Sequence, residues 1–66
     1  MNYKYEYYTL DGVLGQSYSS DENSLENYII LRNKYGDKYP ICKVYNDKSE
    51  LLNVFEYREP YWHKLE

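Results

Sequence analysis

A chain of 66 residues with 11 acidic and 8 basic side chains carries a formal charge of −3, which disfavours duplex nucleic acid as a partner because phosphate contacts need clustered Lys and Arg. It has one cysteine and one histidine, so an internal disulfide is excluded and a zinc site of about four Cys and His ligands cannot be assembled from these types. No apolar run approaches the roughly 20 residues that span a bilayer, and the N-terminus lacks a continuous apolar stretch, so a cytoplasmic protein with no membrane partner is expected.

Eleven tyrosines dominate the rest of the composition. Lysine and asparagine are plentiful and alanine is absent, the bias of an AT-rich coding sequence, so part of the tyrosine excess has a codon explanation. No repeat or linker divides the chain, and residues 1–66 read as a single domain, with 59–66 as a C-terminal aromatic tail. A core this small supplies only about 3–5 kcal/mol without a staple or partner.

The opening stretch YKYEYY places Tyr3, Tyr5 and Tyr7 on one face and Lys4 and Glu6 on the other, the period-2 pattern of a half-buried strand. Asp11-Gly12 then reads as a two-residue type I′ hairpin turn. That turn sets Tyr7 opposite Gln16, Tyr5 opposite Tyr18, and Tyr8 opposite Gly15, where its ring would cover the bare backbone. Tyr5, Tyr7, Leu14 and Tyr18 would share the core face.

SSDENSLENYIILRNKYG follows with capping residues, early acids and Gly36 as a stop, predicting a helix from about Glu22 to Tyr35. Leu25, Tyr28, Ile29 and Tyr35 would form its packed stripe, widened by Leu31. Next, PICKVY and ELLNVFEYR read as two strands joined at NDKS. A turn centred on Asp47-Lys48 would place Cys42, Val44, Leu51, Asn53, Phe55 and Tyr57 on the core face. Ile41, Lys43, Tyr45, Leu52, Val54 and Glu56 would occupy the other. Pro60 should end the last strand and send Tyr61, Trp62 and Leu65 back across something apolar.

These elements predict an α+β fold, ββαββ, with two antiparallel hairpins flanking one helix on one face of a four-stranded sheet. A three-stranded βαββ arrangement is the alternative if 13–19 form a loop. The order resembles the β-grasp roll of small immunoglobulin-binding bacterial domains, a likeness of element order that brings no function with it.

The residues argue against catalysis. His63 sits in the tail, away from Cys42, whose position within a strand and inward side chain suit a structural thiol. The aspartates fall at turns and caps, where they serve the backbone, and "LDGVLG" lacks P-loop spacing. No catalytic residue, metal or cofactor is expected.

What remains is surface. Tyr8, Ile41, Tyr45, Leu52, Val54 and Trp62 would gather on an open sheet face and adjoining tail, an apolar set that a solvated face does not normally carry. The leading expectation is a small non-enzymatic protein-binding module, acidic, of the inhibitor or immunity kind borne by phages and mobile elements, acting on a basic partner through aromatic anchors and a charged rim. The alternatives are a single-stranded nucleic-acid binder stacking bases on exposed tyrosines beside Lys4 and Lys43, and a structural homodimer pairing sheet faces or edges.

Overall fold

The computed structural model describes residues 2–23 and 33–65, and of Tyr61 the backbone alone. The chain forms β1 (Tyr3–Tyr8), β2 (Leu14–Ser20), β3 (Ile41–Tyr45), β4 (Leu51–Arg58) and β5 (Tyr61–Leu65). These make one five-stranded sheet in the order β2-β1-β3-β4-β5, antiparallel at every pairing.

This architecture corrects the α+β expectation: the molecule is mostly β. Among the described residues helix is confined to 33–35, and Glu22 and Asn23 are not helical. The remainder of the expected helix, with Leu25, Tyr28, Ile29 and Leu31, lies outside the described residues. Glu22 is bonded through both of its backbone polar groups. Its carbonyl accepts from the Tyr5 hydroxyl at 2.6 Å, and its N–H donates to Ser20 Oγ at 3.2 Å.

Neither the four-stranded ββαββ sheet with its β-grasp order nor the three-stranded βαββ alternative survives, because residues 61–65 are a fifth strand rather than a tail. Pro60 does end β4, as a residue without an N–H should. The chain then reverses through Glu59-Pro60, a cis peptide, and Trp62 comes to lie opposite Tyr57.

The β1–β2 and β3–β4 hairpins are built the same way, and not as two-residue turns. In the first, Gly12 N–H donates to the Thr9 carbonyl and Thr9 N–H to Val13, so the turn centres on Leu10-Asp11 and Gly12 follows it at φ +84°. In the second, Ser49 N–H donates to Asn46, Asn46 N–H donates to Glu50, and Ser49 takes the equivalent left-handed position at φ 63°. This is the three-residue hairpin loop, a type I turn closed by a left-handed residue. Thr9 Oγ1 accepts from Val13 N–H, just as Asn46 Oδ1 accepts from Glu50 N–H. One pair further in, each hairpin has a bulge. Tyr8 faces Leu14 but Tyr7 faces Gln16, leaving Gly15 unpaired; Tyr45 faces Leu51 but Val44 faces Asn53, leaving Leu52 unpaired.

Because directly opposite residues share a face, the register sorts the sheet. One face carries the rows Gln16–Tyr7–Cys42–Phe55–Lys64 and Tyr18–Tyr5–Val44–Asn53. Here lie the buried residues Tyr5, Tyr7, Cys42, Val44 and Phe55, with Tyr3, Tyr35, Tyr39 and Trp62 packed against them. Leu14 and Leu51, expected in this core, are 50% and 54% exposed and pair onto the other face, since each lies between its turn and its bulge. Tyr18 keeps the expected face beside Tyr5, with ring centroids 6.1 Å apart, yet stays 40% exposed on an edge strand.

β2 and β3 flank β1 and run parallel to each other, so residues 21–40 must cross β1. Their described part lies on the core face: the Tyr35 ring is 4.9 Å from Tyr7, and Tyr39 packs over Gly15. The ring that covers this glycine is therefore Tyr39 and not Tyr8. A Cβ built on Gly15 would collide with the Tyr39 ring, so the close approach is what requires glycine there. Gly15→Ala should destabilise the fold by about 1–3 kcal/mol, the usual cost of overpacking. Because Tyr39→Ala removes the obstacle, the double variant should lose less than the sum of the singles in urea unfolding.

Candidate binding surface

The face opposite the core carries three rows across the strands: Ser17–Glu6–Lys43–Val54–Leu65, Leu14–Tyr8–Ile41–Glu56–His63, and Ser19–Lys4–Tyr45–Leu51. Tyr8, Ile41, Tyr45 and Val54 are half-buried there, and Leu52, the bulge residue beside them, is 41% exposed. The pairings thus bring together Tyr8, Ile41, Tyr45 and Val54 of the sequence-predicted set, with Leu52 unpaired at the bulge and Trp62 elsewhere. Pairing with Tyr57 puts Trp62 on the core face, its ring edge-on to Tyr7 at 6.0 Å and to Tyr57 at 5.5 Å. Leu14, Leu51 and Leu65 join the open face in its place. A left-handed residue followed by a bulge in each hairpin was the signal that would have found the first two.

Contacts on this face run among its own residues. The Tyr8 hydroxyl donates to Glu6 Oε1 at 2.6 Å, and Lys4 Nζ lies 3.1 Å from Glu6 Oε2. Lys43 Nζ sits 4.7 Å from the centre of the Tyr8 ring, and Lys4 Nζ 5.3 Å from that of Tyr45. Arg58 pairs with Glu56. The Tyr8 hydrogen bond, helped by Lys4 and partly opposed by burial, holds the Glu6 carboxyl below its ordinary value, and the same bond pushes the Tyr8 hydroxyl up.

The acids of the turns frame the face. Asp11 and Glu59 lie at the end where Tyr8, Ile41 and Glu56 sit, and Asp47 and Glu50 at the end with Lys4 and Tyr45. Lys4, Lys43 and Arg58 lie on the same face with Glu6 and Glu56, so both signs of charge run through it.

Cys42 lies on the opposite face, buried beside Tyr7. Burial pushes its thiol up to about 12, with the Tyr7 hydroxyl only partly offsetting this. Reactive cysteines show the reverse, a lowered value in an electropositive and accessible setting. Among the described residues no group of three or more His, Cys, Asp or Glu side chains gathers as a metal site would require, and no helix is long and apolar enough to cross a membrane.

The Cys42 thiol should be unreactive toward Ellman's reagent at pH 8 until denaturant unfolds the chain, and rapid labelling of the native protein would show that the core opens there. Glu6 gives a pH dependence. Its folded value lies below the ordinary 4.5, so its ionised form stabilises the fold above that pH, and the contribution is lost as pH falls through the folded value. The thermal midpoint should therefore drop from pH 6 to pH 3 by more in the native sequence than in Glu6→Gln. Compared with known protein families, curated proteins and solved structures, the chain shows no match to any.

Proposed function

We propose that the protein is a non-enzymatic binding module that engages another protein through its open sheet face. The observation that carries this reading is the set Tyr8, Ile41, Tyr45 and Val54, half-buried with Leu51 and Leu52 exposed beside them, on a face whose described contacts are all internal. Aromatic and aliphatic side chains set among charged ones offer a partner both apolar contact and polar pairing, and tyrosine supplies contact area at low entropic cost. The rim acids Asp11, Asp47, Glu50 and Glu59, with the net charge of −3, suit a basic partner by steering its approach. An inhibitor or immunity-type protein acting on a basic effector is the class that combines these features.

One observation favours a second reading. Lys43 over Tyr8 and Lys4 over Tyr45 repeat the cation-and-ring combination on which single-stranded nucleic acid stacks. Its weakness is the small number of cations and the acids at both ends of the face.

Tyr45→Asp and Val54→Asp discriminate. Each should abolish capture of the protein partner from the source cell, since loss of a hot spot costs about 2 kcal/mol or more, while circular dichroism and the unfolding midpoint stay near native. Phe55→Ala should instead unfold the domain, at about 3–5 kcal/mol for a buried aromatic. If both aspartate variants retain every captured protein, the reading fails. A labelled single-stranded oligonucleotide that binds the native protein but not Tyr8→Ala or Tyr45→Ala would establish the second.

A further inference from the structure

The ring of Trp62 stands between two tyrosines on the core face, edge-on to Tyr57 at 5.5 Å and to Tyr7 at 6.0 Å between centroids, both within the range of aromatic contact. The two neighbours are not alike. The Tyr7 hydroxyl is buried without a hydrogen-bond partner, the weakly accepting Cys42 sulfur being all that lies beside it, and burial holds its phenol far above the ordinary value. Tyr57 is half-buried, and its hydroxyl is not sealed from solvent. The Trp62 indole N–H is itself buried without a partner. Backbone bonds fix the stack: Tyr57 and Trp62 are opposite residues of β4 and β5, and the Tyr57 N–H donates to the Pro40 carbonyl at 2.6 Å.

We propose that Trp62 and Tyr57 form a one-electron relay: an oxidising equivalent that lands on Trp62 leaves through Tyr57, and the core that holds Tyr7 and Cys42 is spared. Indole and phenol are the readily oxidised rings among protein side chains, and rings in contact exchange electrons without a bridging group. What separates the two exits is the proton. A phenol gives up an electron readily only if its proton leaves as well, which requires an acceptor within hydrogen-bond reach. A one-electron oxidant such as the azidyl radical takes an electron from the indole and is reduced to azide. No group stands by to take the Nε1 proton, so the product is the indole radical cation. Tyr57 then passes one electron to that ring and its hydroxyl proton to water. The indole is restored, a neutral phenoxyl radical is left, and a charge that is costly in a half-buried ring has gone to solvent. Tyr7 cannot take the same step, because its proton has nowhere to go and a phenol radical cation would leave the charge inside. The Cys42 thiol behind it is thereby kept off the oxidation ladder, which favours accessible thiolates. The inference does not rest on the open face, since both rings of the relay lie on the other side of the sheet.

The test is pulse radiolysis of the full chain with azidyl radicals, which oxidise indole faster than phenol at neutral pH. Trp62 is the one tryptophan of the sequence, so the tryptophan radical signal belongs to it alone. In the native chain that signal should decay while the tyrosyl absorption grows at the same first-order rate, whatever the protein concentration. Tyr57→Phe keeps a ring against Trp62 but has no proton to release, and should abolish that phase. Tyr7→Phe should leave its rate unchanged. Tyr45→Asp and Val54→Asp should leave it unchanged too, so failure here and failure of the binding function are told apart. Circular dichroism checks each fold. Should Tyr57→Phe fold poorly, the native chain decides alone: after oxidation, mass spectrometry should find modified Tyr57 with Tyr7 and Cys42 intact. A tryptophan radical that decays only by encounter between molecules overturns the proposal. So does a first-order phase that survives in Tyr57→Phe or disappears in Tyr7→Phe, and so does oxidised Tyr7 or Cys42 in the folded native chain.

Discussion

The structure depends on the position of β1 between β2 and β3, antiparallel to each. That arrangement makes β2 and β3 parallel, and parallel strands cannot be joined by a tight turn. The chain between them must cross β1. Where its path is described, it lies over the face that carries Tyr5 and Tyr7: the Tyr5 hydroxyl holds the Glu22 carbonyl as the crossover begins, and Tyr35 and Tyr39 lie over Tyr7 and Gly15 as it returns. One face is thereby a core. The other becomes the open face on which Tyr8 and Tyr45 sit.

A core made of tyrosine has a cost that can be weighed. The Tyr7 hydroxyl and the Trp62 indole N–H are buried with no conventional hydrogen-bond partner, the Cys42 thiol beside Tyr7 being at best a weak one. Each unmade bond costs about 1–3 kcal/mol. Burying a ring of about 150–250 Å² returns, at about 25 cal/mol per Å², roughly 4–6 kcal/mol as an upper estimate. Burial wins at Tyr7, which is fully buried. A chain of 66 residues has little volume in which to build a core, so large rings with an occasional stranded polar tip are a better solution than smaller side chains that satisfy everything.

The same balance explains what was legible in the sequence. Alternation identified Tyr5, Tyr7, Cys42, Val44 and Phe55 as one face, because period-2 patterning survives any register change of two. In the first hairpin the longer turn and the bulge at Gly15 shift the register in opposite senses and cancel; in the second they add to two. Leu14 and Leu51 were misplaced because they lie in the short stretch between turn and bulge, where the shifts have not yet compensated. Trp62 was misplaced for a non-local reason: its face is set by pairing with Tyr57, and a proline two residues earlier reads as an end and not as a turn. The partner of Gly15 was equally hidden, since Tyr39 reaches it across the fold. Cap residues alone could not reveal that Glu22 is held by a tyrosine from β1.

On the proposed reading, the open face has to keep the free chain wetted and still leave it able to bind. Unpartnered tyrosine, isoleucine and valine on a sheet would invite indiscriminate association, yet here the polar tip of Tyr8 is tied to Glu6 and its ring is shaded by Lys43, as the ring of Tyr45 is by Lys4. These covers are held weakly. The Lys4–Glu6 pair is partly solvated, with 45% of the lysine side chain exposed, and pairs of that kind contribute about 0–1 kcal/mol; a cation over an exposed ring adds about 0.5–1 kcal/mol. Displacing one lysine to reach a ring therefore costs much less than the 2 kcal/mol or so that a buried aromatic anchor returns in an interface. The lysines thus cover the rings without closing the face, and on the proposed reading the acids of the turns would favour a basic partner.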